Sequence, residues 1–119
     1  MNILERQLSA RVTEADFQRW VVDVAQIFGW LCHHSRPARK ADGSWSTPIT
    51  GTKGFVDLVL CHPRRGVLIL AELKTDRGRL TLEQGVWLEA LNEAGAHAVV
   101  WRPRDRERIE AILTGKETL

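Results

Sequence analysis

Two runs rich in branched aliphatic residues, 55–62 and 67–74, are separated only by Pro63-Arg64-Arg65-Gly66. That spacing and those turn residues are hairpin punctuation, so whatever this chain folds into must contain an antiparallel strand pair. A carboxylate interrupts each run, Asp57 the first and Glu72 the second. A turn symmetric about Arg64 and Arg65 pairs position 62 with 67 and, carried back along the strands, 57 with 72. The two carboxylates then stand opposite each other with Cβ atoms about 4.5–5.5 Å apart, where like charges destabilise a sheet unless something positive lies between them. A bulge would shift this register by one residue.

The remaining elements follow from periodicity and punctuation. Thr13 can cap a helix in which Phe17, Trp20, Val21, Val24, Ala25 and Phe28 recur at helical spacing. Gly29 ends it as a left-handed C-terminal residue would. Residues 30–34 read as a short strand and 35–53 as a long loop, with Pro37, Gly43, Pro48 and Gly51 among basic and small polar residues. Thr81 and Gln84 have capping-box spacing at the start of a second helix, which Gly95 closes. Residues 96–101 read as a strand, and Asp105 can cap a last helix carrying Ile109, Ile112 and Leu113. Residues 1–12 carry little pattern and read as an arm or short helix. The order predicts a single α/β domain over 1–119, one mixed sheet with helices packed on it.

The class fits the composition. A chain of 119 residues with 44% hydrophobic and 27% charged residues needs neither disulfide nor structural metal to fold. Lys and Arg number 17 against 15 Asp and Glu, a formal charge of +2, so bulk charge alone names no nucleic-acid partner. Cys32 and Cys61 are isolated, which excludes a cysteine-based zinc site and fits a reducing compartment. The first residues lack the order of a signal peptide and no apolar run is long enough for a span, so a cytoplasmic protein without membrane contact is expected.

Alternation along the second strand puts Lys74 on the face of Glu72. Hard carboxylate oxygens suit Mg2+ or Mn2+, cations that bind through few protein ligands together with a substrate phosphate. Such a cation makes water a better nucleophile, and a neighbouring ammonium stabilises charge developing on phosphate. The set reads as phosphodiester hydrolysis. Glu14 and Gln84 each head the apolar face of a helix, Glu14 in line with Phe17, Val21 and Phe28, Gln84 with Trp87, Leu88 and Leu91. Two readings stand for each: a local role at the helix N-terminus, or a side chain turned toward the carboxylate pair.

These residues in this order, from Gly54-Phe55-Val56-Asp57-Leu58-Val59-Leu60 through Ala71-Glu72-Leu73-Lys74-Thr75 and Gln84 with Trp87-Leu88 to Val100-Trp101-Arg102-Pro103 and Asp105, resemble the VRR-NUC nuclease domain of the PD-(D/E)XK superfamily. The likeness spans nearly the whole chain, about residues 13–113. It implies a restriction-endonuclease-like fold, with a mixed central sheet flanked by helices. By the resemblance Asp57 and Glu72 are metal ligands, completed by the Leu73 carbonyl; Lys74 is the catalytic lysine, and Glu14 and Gln84 match the helix glutamate and the following glutamine. Val56 departs from the family, which often has proline before the aspartate; that proline shapes backbone and ligates nothing. Small stand-alone phage and bacterial members are junction resolvases. The resemblance therefore implies a metal-dependent, structure-selective endonuclease, a homodimer acting on four-way DNA junctions in a bacterial cell or infected host.

Basic residues flank the expected site: Arg36, Arg39, Lys40 and Lys53 in the long loop, Arg77 and Arg79 after the Glu72-Leu73-Lys74 triplet. They are candidates for gripping DNA phosphates. Arg104, Arg106 and Arg108 alternate with acids and read as a solvated face. Trp20, Trp87 and Trp101 read as core and Trp30 as partly buried, while Trp45 reads either as a loop residue or as a platform for an unpaired base. His33 and His34 end a strand, with a structural role set against a phosphate contact; His62 and His97 read as structural. Three rival functions stay open: a flap or other branched-DNA nuclease, a DNA-binding module that does not cut, and a structural domain in which Glu72 and Lys74 are an ordinary ion pair.

Overall fold

Thr13 Oγ accepts a hydrogen bond from the Asp16 amide and starts the first helix as its spacing predicts. The computed structural model describes residues 12–35, 38–39, 41–43, 45–46 and 51–119. The arm or helix expected before residue 12 lies outside them. Helix α1 spans Glu14–Ile27 and Gly29, at φ 89°, closes it. Strand β1 (Leu31–His34) follows, then two-residue strands β2 (Ala38–Arg39) and β3 (Trp45–Ser46), then β4 (Leu58–His62) and β5 (Val67–Leu73). Helix α2 (Leu82–Glu93), strand β6 (Ala98–Trp101), a 3-10 turn (Pro103–Asp105) and helix α3 (Arg106–Thr114) complete the order.

Among the described residues the main sheet has four strands in the order β1-β4-β5-β6, with β6 parallel to β5 and the other pairs antiparallel. The fold is α/β, a mixed sheet flanked by helices. Side-chain alternation divides the apolar residues between its faces. Leu58, Leu60, Ile69, Ala71, Leu73 and Trp101 pack with Phe17, Val21 and Ala25 of α1 and Ile109, Ile112 and Leu113 of α3. The opposite face carries Leu70 and Ala98, covered by Leu88 of α2 together with Val56. Each fully buried Val, Leu, Ile or Phe side chain in these layers contributes about 1.5–3 kcal/mol of transfer free energy.

Several expectations change in detail. The first hairpin strand starts at Leu58, not 55, so Asp57 lies in the lead-in to the ladder. The stretch 35–53 is not wholly irregular: β2 and β3 form an antiparallel pair with Ala38 opposite Ser46. Trp30 is 3% exposed, not half-buried, because its indole N–H donates to the Leu113 carbonyl at 2.9 Å. Trp20 and Trp87 are only partly buried, unlike Trp101, and the Arg106 guanidinium covers the Trp20 ring at 5.3 Å. Asp105 precedes α3 but makes no side-chain cap to it; its carboxylate instead accepts from the Arg102 amide at 2.9 Å. Among the described residues no helix is long and apolar enough to cross a membrane.

Candidate active site

The hairpin register is the one that turn symmetry dictates. Leu58 pairs with Ala71 and His62 with Val67, and the Gly66 amide donates to the Pro63 carbonyl across the turn at 3.2 Å. One step beyond the Leu58–Ala71 pair, Asp57 meets β5: its Oδ2 accepts from the Leu73 amide at 3.0 Å. Asp57 is thus held against the strand that carries Glu72, as the spacing requires.

Glu72 is 1% exposed and is the one buried charged side chain among the described residues. Its Oε1 accepts from Gln84 Nε2 at 2.8 Å and lies 3.5 Å from the Lys74 ammonium. Its Oε2 is buried and has no hydrogen-bond partner. Burial, reinforced by Asp57 and opposed by Lys74, pushes the Glu72 carboxyl up to about 8. The Glu14 carboxyl is also raised, first by burial and then by Asp57, with Lys74 again opposing. Glu14, exposed at the start of α1, makes no direct bond to Asp57 or Lys74 but feels the charge of both.

Both readings of Gln84 hold at once. Its Oε1 accepts from the Thr81 amide at 2.9 Å while Thr81 Oγ accepts from the Gln84 amide at 3.1 Å, a complete capping box. The Nε2 end of the same amide is left to bind Glu72. Local capping orients the side chain, so the bond to Glu72 costs little further ordering entropy.

The segment before Asp57 is clamped to α2. Gly54 has φ 98°, and a Cβ there would fall 2.5 Å from the Glu83 carbonyl carbon. Only glycine permits that approach. Trp87 Nε1 donates to the Thr52 carbonyl at 3.1 Å, and its ring meets Phe55 edge-on at 5.0 Å. Gly54, Phe55 and Trp87 thus set the distance between the segment carrying Asp57 and the helix carrying Gln84. Residues recognised in the sequence as motif or core have this positioning job, which no local pattern reveals.

Of the candidate phosphate contacts, Lys53, Arg77 and Arg79 are exposed, the last two just after the triplet. Arg36 and Lys40 lie outside the described residues; Arg39 and Trp45 are described only as backbone in β2 and β3. His33 is exposed. His34 pairs with Leu58, next to Asp57, and its Nδ1 is buried without a partner. His62 is structural as expected: its Nδ1 accepts from the Arg65 amide, which leaves Nε2 to donate to the Phe28 carbonyl at 3.0 Å.

Arg65 of the hairpin turn and Arg102 of the Val100–Pro103 stretch have contacts that the sequence does not announce. Arg65, in the hairpin turn, lies over the Trp30 ring at 5.1 Å and donates to the Ile112 carbonyl at 2.9 Å, closing the end of α3. Arg102 donates to the carbonyls of Thr75 and Gly78 at 2.6 and 2.7 Å. Their partners are far away in sequence, so no local signal marks them. Among the described residues no group of three or more His, Cys, Asp or Glu side chains is assembled for a metal; Asp57 and Glu72 are close enough for the charge of Asp57 to raise the Glu72 carboxyl.

No family model matches this chain, and comparison with curated proteins and with solved structures gives no match.

Proposed function

We propose that this chain is a divalent-metal-dependent DNA endonuclease that hydrolyses phosphodiester bonds in branched DNA, on a restriction-endonuclease-like fold of the VRR-NUC kind. The observation that carries the reading is Glu72. A carboxylate this buried, next to a second carboxylate, is costly to ionise unless a cation joins it. Its Oε2 has no hydrogen bond, and Gln84 and Lys74 engage only Oε1. Hard oxygens with an open valence fit Mg2+ or Mn2+, which Asp57 and Glu72 would hold with the Leu73 carbonyl. When bound, such a cation supplies charge neutralisation on phosphate and a nucleophile at neutral pH.

The chain's own groups divide the remaining work. Hydrolysis adds water across a P–O bond, and negative charge grows on the phosphoryl and leaving oxygens. The Lys74 ammonium, 13% exposed and anchored beside Glu72, has N–H donors to meet that charge. Gln84 fixes the Glu72 carboxylate in one orientation. Glu14, raised in pKa beside Asp57, adds a third carboxyl able to hold a proton or a water. Lys53, Arg77 and Arg79 offer exposed charge for the DNA backbone, joined in this reading by Arg36, Arg39 and Lys40.

A single small domain has little surface to grip two duplex arms, so the reading includes a two-fold homodimer whose paired sites suit a four-way junction. The test is cleavage of four-way junction, flap, single-stranded and linear duplex DNA in Mg2+ and Mn2+, with Asp57→Ala and Glu72→Ala as controls. Metal-dependent cutting lost in both variants supports the assignment. Binding without cutting in the parent chain would favour a DNA-binding module, and absence of both would leave Glu72 and Lys74 as a structural pair.

A further inference from the structure

The backbone that follows Glu72-Leu73-Lys74 turns tightly, the Gly78 amide donating to the Thr75 carbonyl at 3.2 Å. One side chain from elsewhere in the fold grips both ends of this turn. Arg102 Nη1 donates to the Thr75 carbonyl at 2.6 Å and to the Gly78 carbonyl at 2.7 Å. Hydrogen bonds from a charged donor are roughly twice as strong as neutral ones, and these two share one rigid planar group. Arg102 is itself immobilised. Its amide donates to Asp105 Oδ2 at 2.9 Å, the Asp105 amide returns to the Arg102 carbonyl at 2.8 Å, and Pro103 between them is buried. A second tie runs alongside, from the Arg104 amide to Asp76 Oδ1 at 2.9 Å. A third joins the Lys74 amide to the Trp101 carbonyl at 3.1 Å.

The turn carries two things that matter to the site. A Cβ on Gly78 would lie 3.0 Å from Thr75 Oγ and 3.5 Å from Lys74 Cδ, so the turn packs against the stem of Lys74. Arg77 within it and Arg79 just past it are exposed. Without an outside tether, a turn with so few bonds of its own would sample many conformations, and its arginines with it.

We infer that Arg102 is a positioning residue: by holding the carbonyls of Thr75 and Gly78 it sets the Lys74 ammonium and presents Arg77 and Arg79 to backbone phosphates. The inference rests on the nuclease reading for the identity of the ligand, while the tether itself can be measured without DNA. Arg102 touches no reacting atom; it acts through the turn.

The experiment compares the full chain with Arg102→Met, which removes the donors, and Arg102→Lys, which keeps the charge and can donate to the same carbonyls. Amide hydrogen exchange at residues 76–80 is expected to speed up roughly ten- to hundredfold in the Met variant, with part of the protection restored by Lys. Binding of a four-way junction in Ca2+, followed by anisotropy against salt, is expected to weaken and to show a flatter salt dependence in the Met variant. In Mn2+ the same variant is expected to lose kcat, with the Lys variant intermediate. Unchanged exchange with weakened binding would make Arg102 a direct phosphate contact and overturn the tether. Faster exchange with unaltered binding and kcat would make it purely structural and overturn the positioning role. If the parent chain neither binds nor cuts DNA, the functional reading fails and takes the phosphate role with it, an outcome distinct from a parent that cuts and a Met variant that cuts equally well.

Discussion

Glu72 is the side chain on which the proposed chemistry turns. Folded, its carboxyl ionises at about 8 against an ordinary value of 4.5. Between those values the folded state holds a proton that the unfolded state has lost, so without metal the stability is full below the lower value and falls as pH rises toward the upper one. The loss amounts to a few kcal/mol at most, with coupling to Asp57 and Lys74 setting its size. Urea denaturation in chelator is therefore expected to give a lower midpoint at about pH 8 than at about pH 5.5. Glu72→Gln is expected to raise the midpoint at the higher pH, flatten the dependence and abolish cleavage. A parent midpoint that climbs over this range would contradict the raised pKa. Lys74→Ala separates chemistry from binding: cleavage is expected to fall by about a hundredfold or more, while Mn2+ still raises the melting temperature. Loss of both effects together would mean that Lys74 organises the carboxylates instead of serving the phosphate.

At the scale of elements, the site is a meeting of three segments: the lead-in to β4, the end of β5 and the first turn of α2. Gly54 is where the first and third touch: the Glu83 backbone leaves no room for a side chain, and the positive φ disfavours one as well. Gly54→Ala is expected to destabilise the fold by more than about 2 kcal/mol through overpacking and backbone strain. It is also expected to impair activity beyond the stability loss, because Asp57 shifts relative to Gln84. Cleavage at a temperature where the variant is fully folded measures that second effect. Thr81→Ala tests the other support. Removing the cap is expected to cost about 1 kcal/mol of stability and to loosen Gln84, whose Nε2 holds Glu72. Unchanged cleavage in that variant would show that the Thr81 hydroxyl is not needed to place Gln84, whose side chain still accepts from the residue 81 amide.

For the molecule as a whole, the proposed function makes demands on the basic surface and on the assembly state. Arg77 and Arg79 stand exposed on the turn beyond β5. Replacing both with alanine is expected to weaken DNA binding and to reduce the slope of log K against log salt by about one to two. An unchanged slope would move the phosphate-binding surface elsewhere. The proposed homodimer predicts twice the chain mass by light scattering and paired incisions on a four-way junction. A monomer at assay concentration, or linear duplex cut as fast as junctions, would remove the resolvase reading and leave the nuclease reading standing.

The helices and the four strands of the main sheet were legible in the sequence because the signals that set them are local, whereas the short β2–β3 pair was not. Turn symmetry about Arg64 and Arg65 placed Asp57 against β5, and Leu58 does pair with Ala71. Thr81 and Gln84 form the box their spacing announces, and glycines 29 and 95 follow the ends of α1 and α2 at positive φ. Asp57 itself stops short of the ladder and meets the Leu73 amide, while Lys74, two residues beyond Glu72, lies with it as the strand period of two requires. The rest rested on contacts whose partners are remote along the chain. Trp30 is buried because Leu113, 83 residues away, accepts its N–H. Arg102 grips carbonyls 27 and 24 residues away, and Gly54 is confined by a helix that begins only at Leu82. Gln84 shows the division within one side chain: its carbonyl end obeys a rule three residues long, whereas its amide end reaches Glu72 only because sheet and helix have packed. Short-range geometry is written in residue spacing. Which long-range partner fills a hydrogen bond or a close approach is decided when the layers come together and each buried polar group must find the one neighbour left to it.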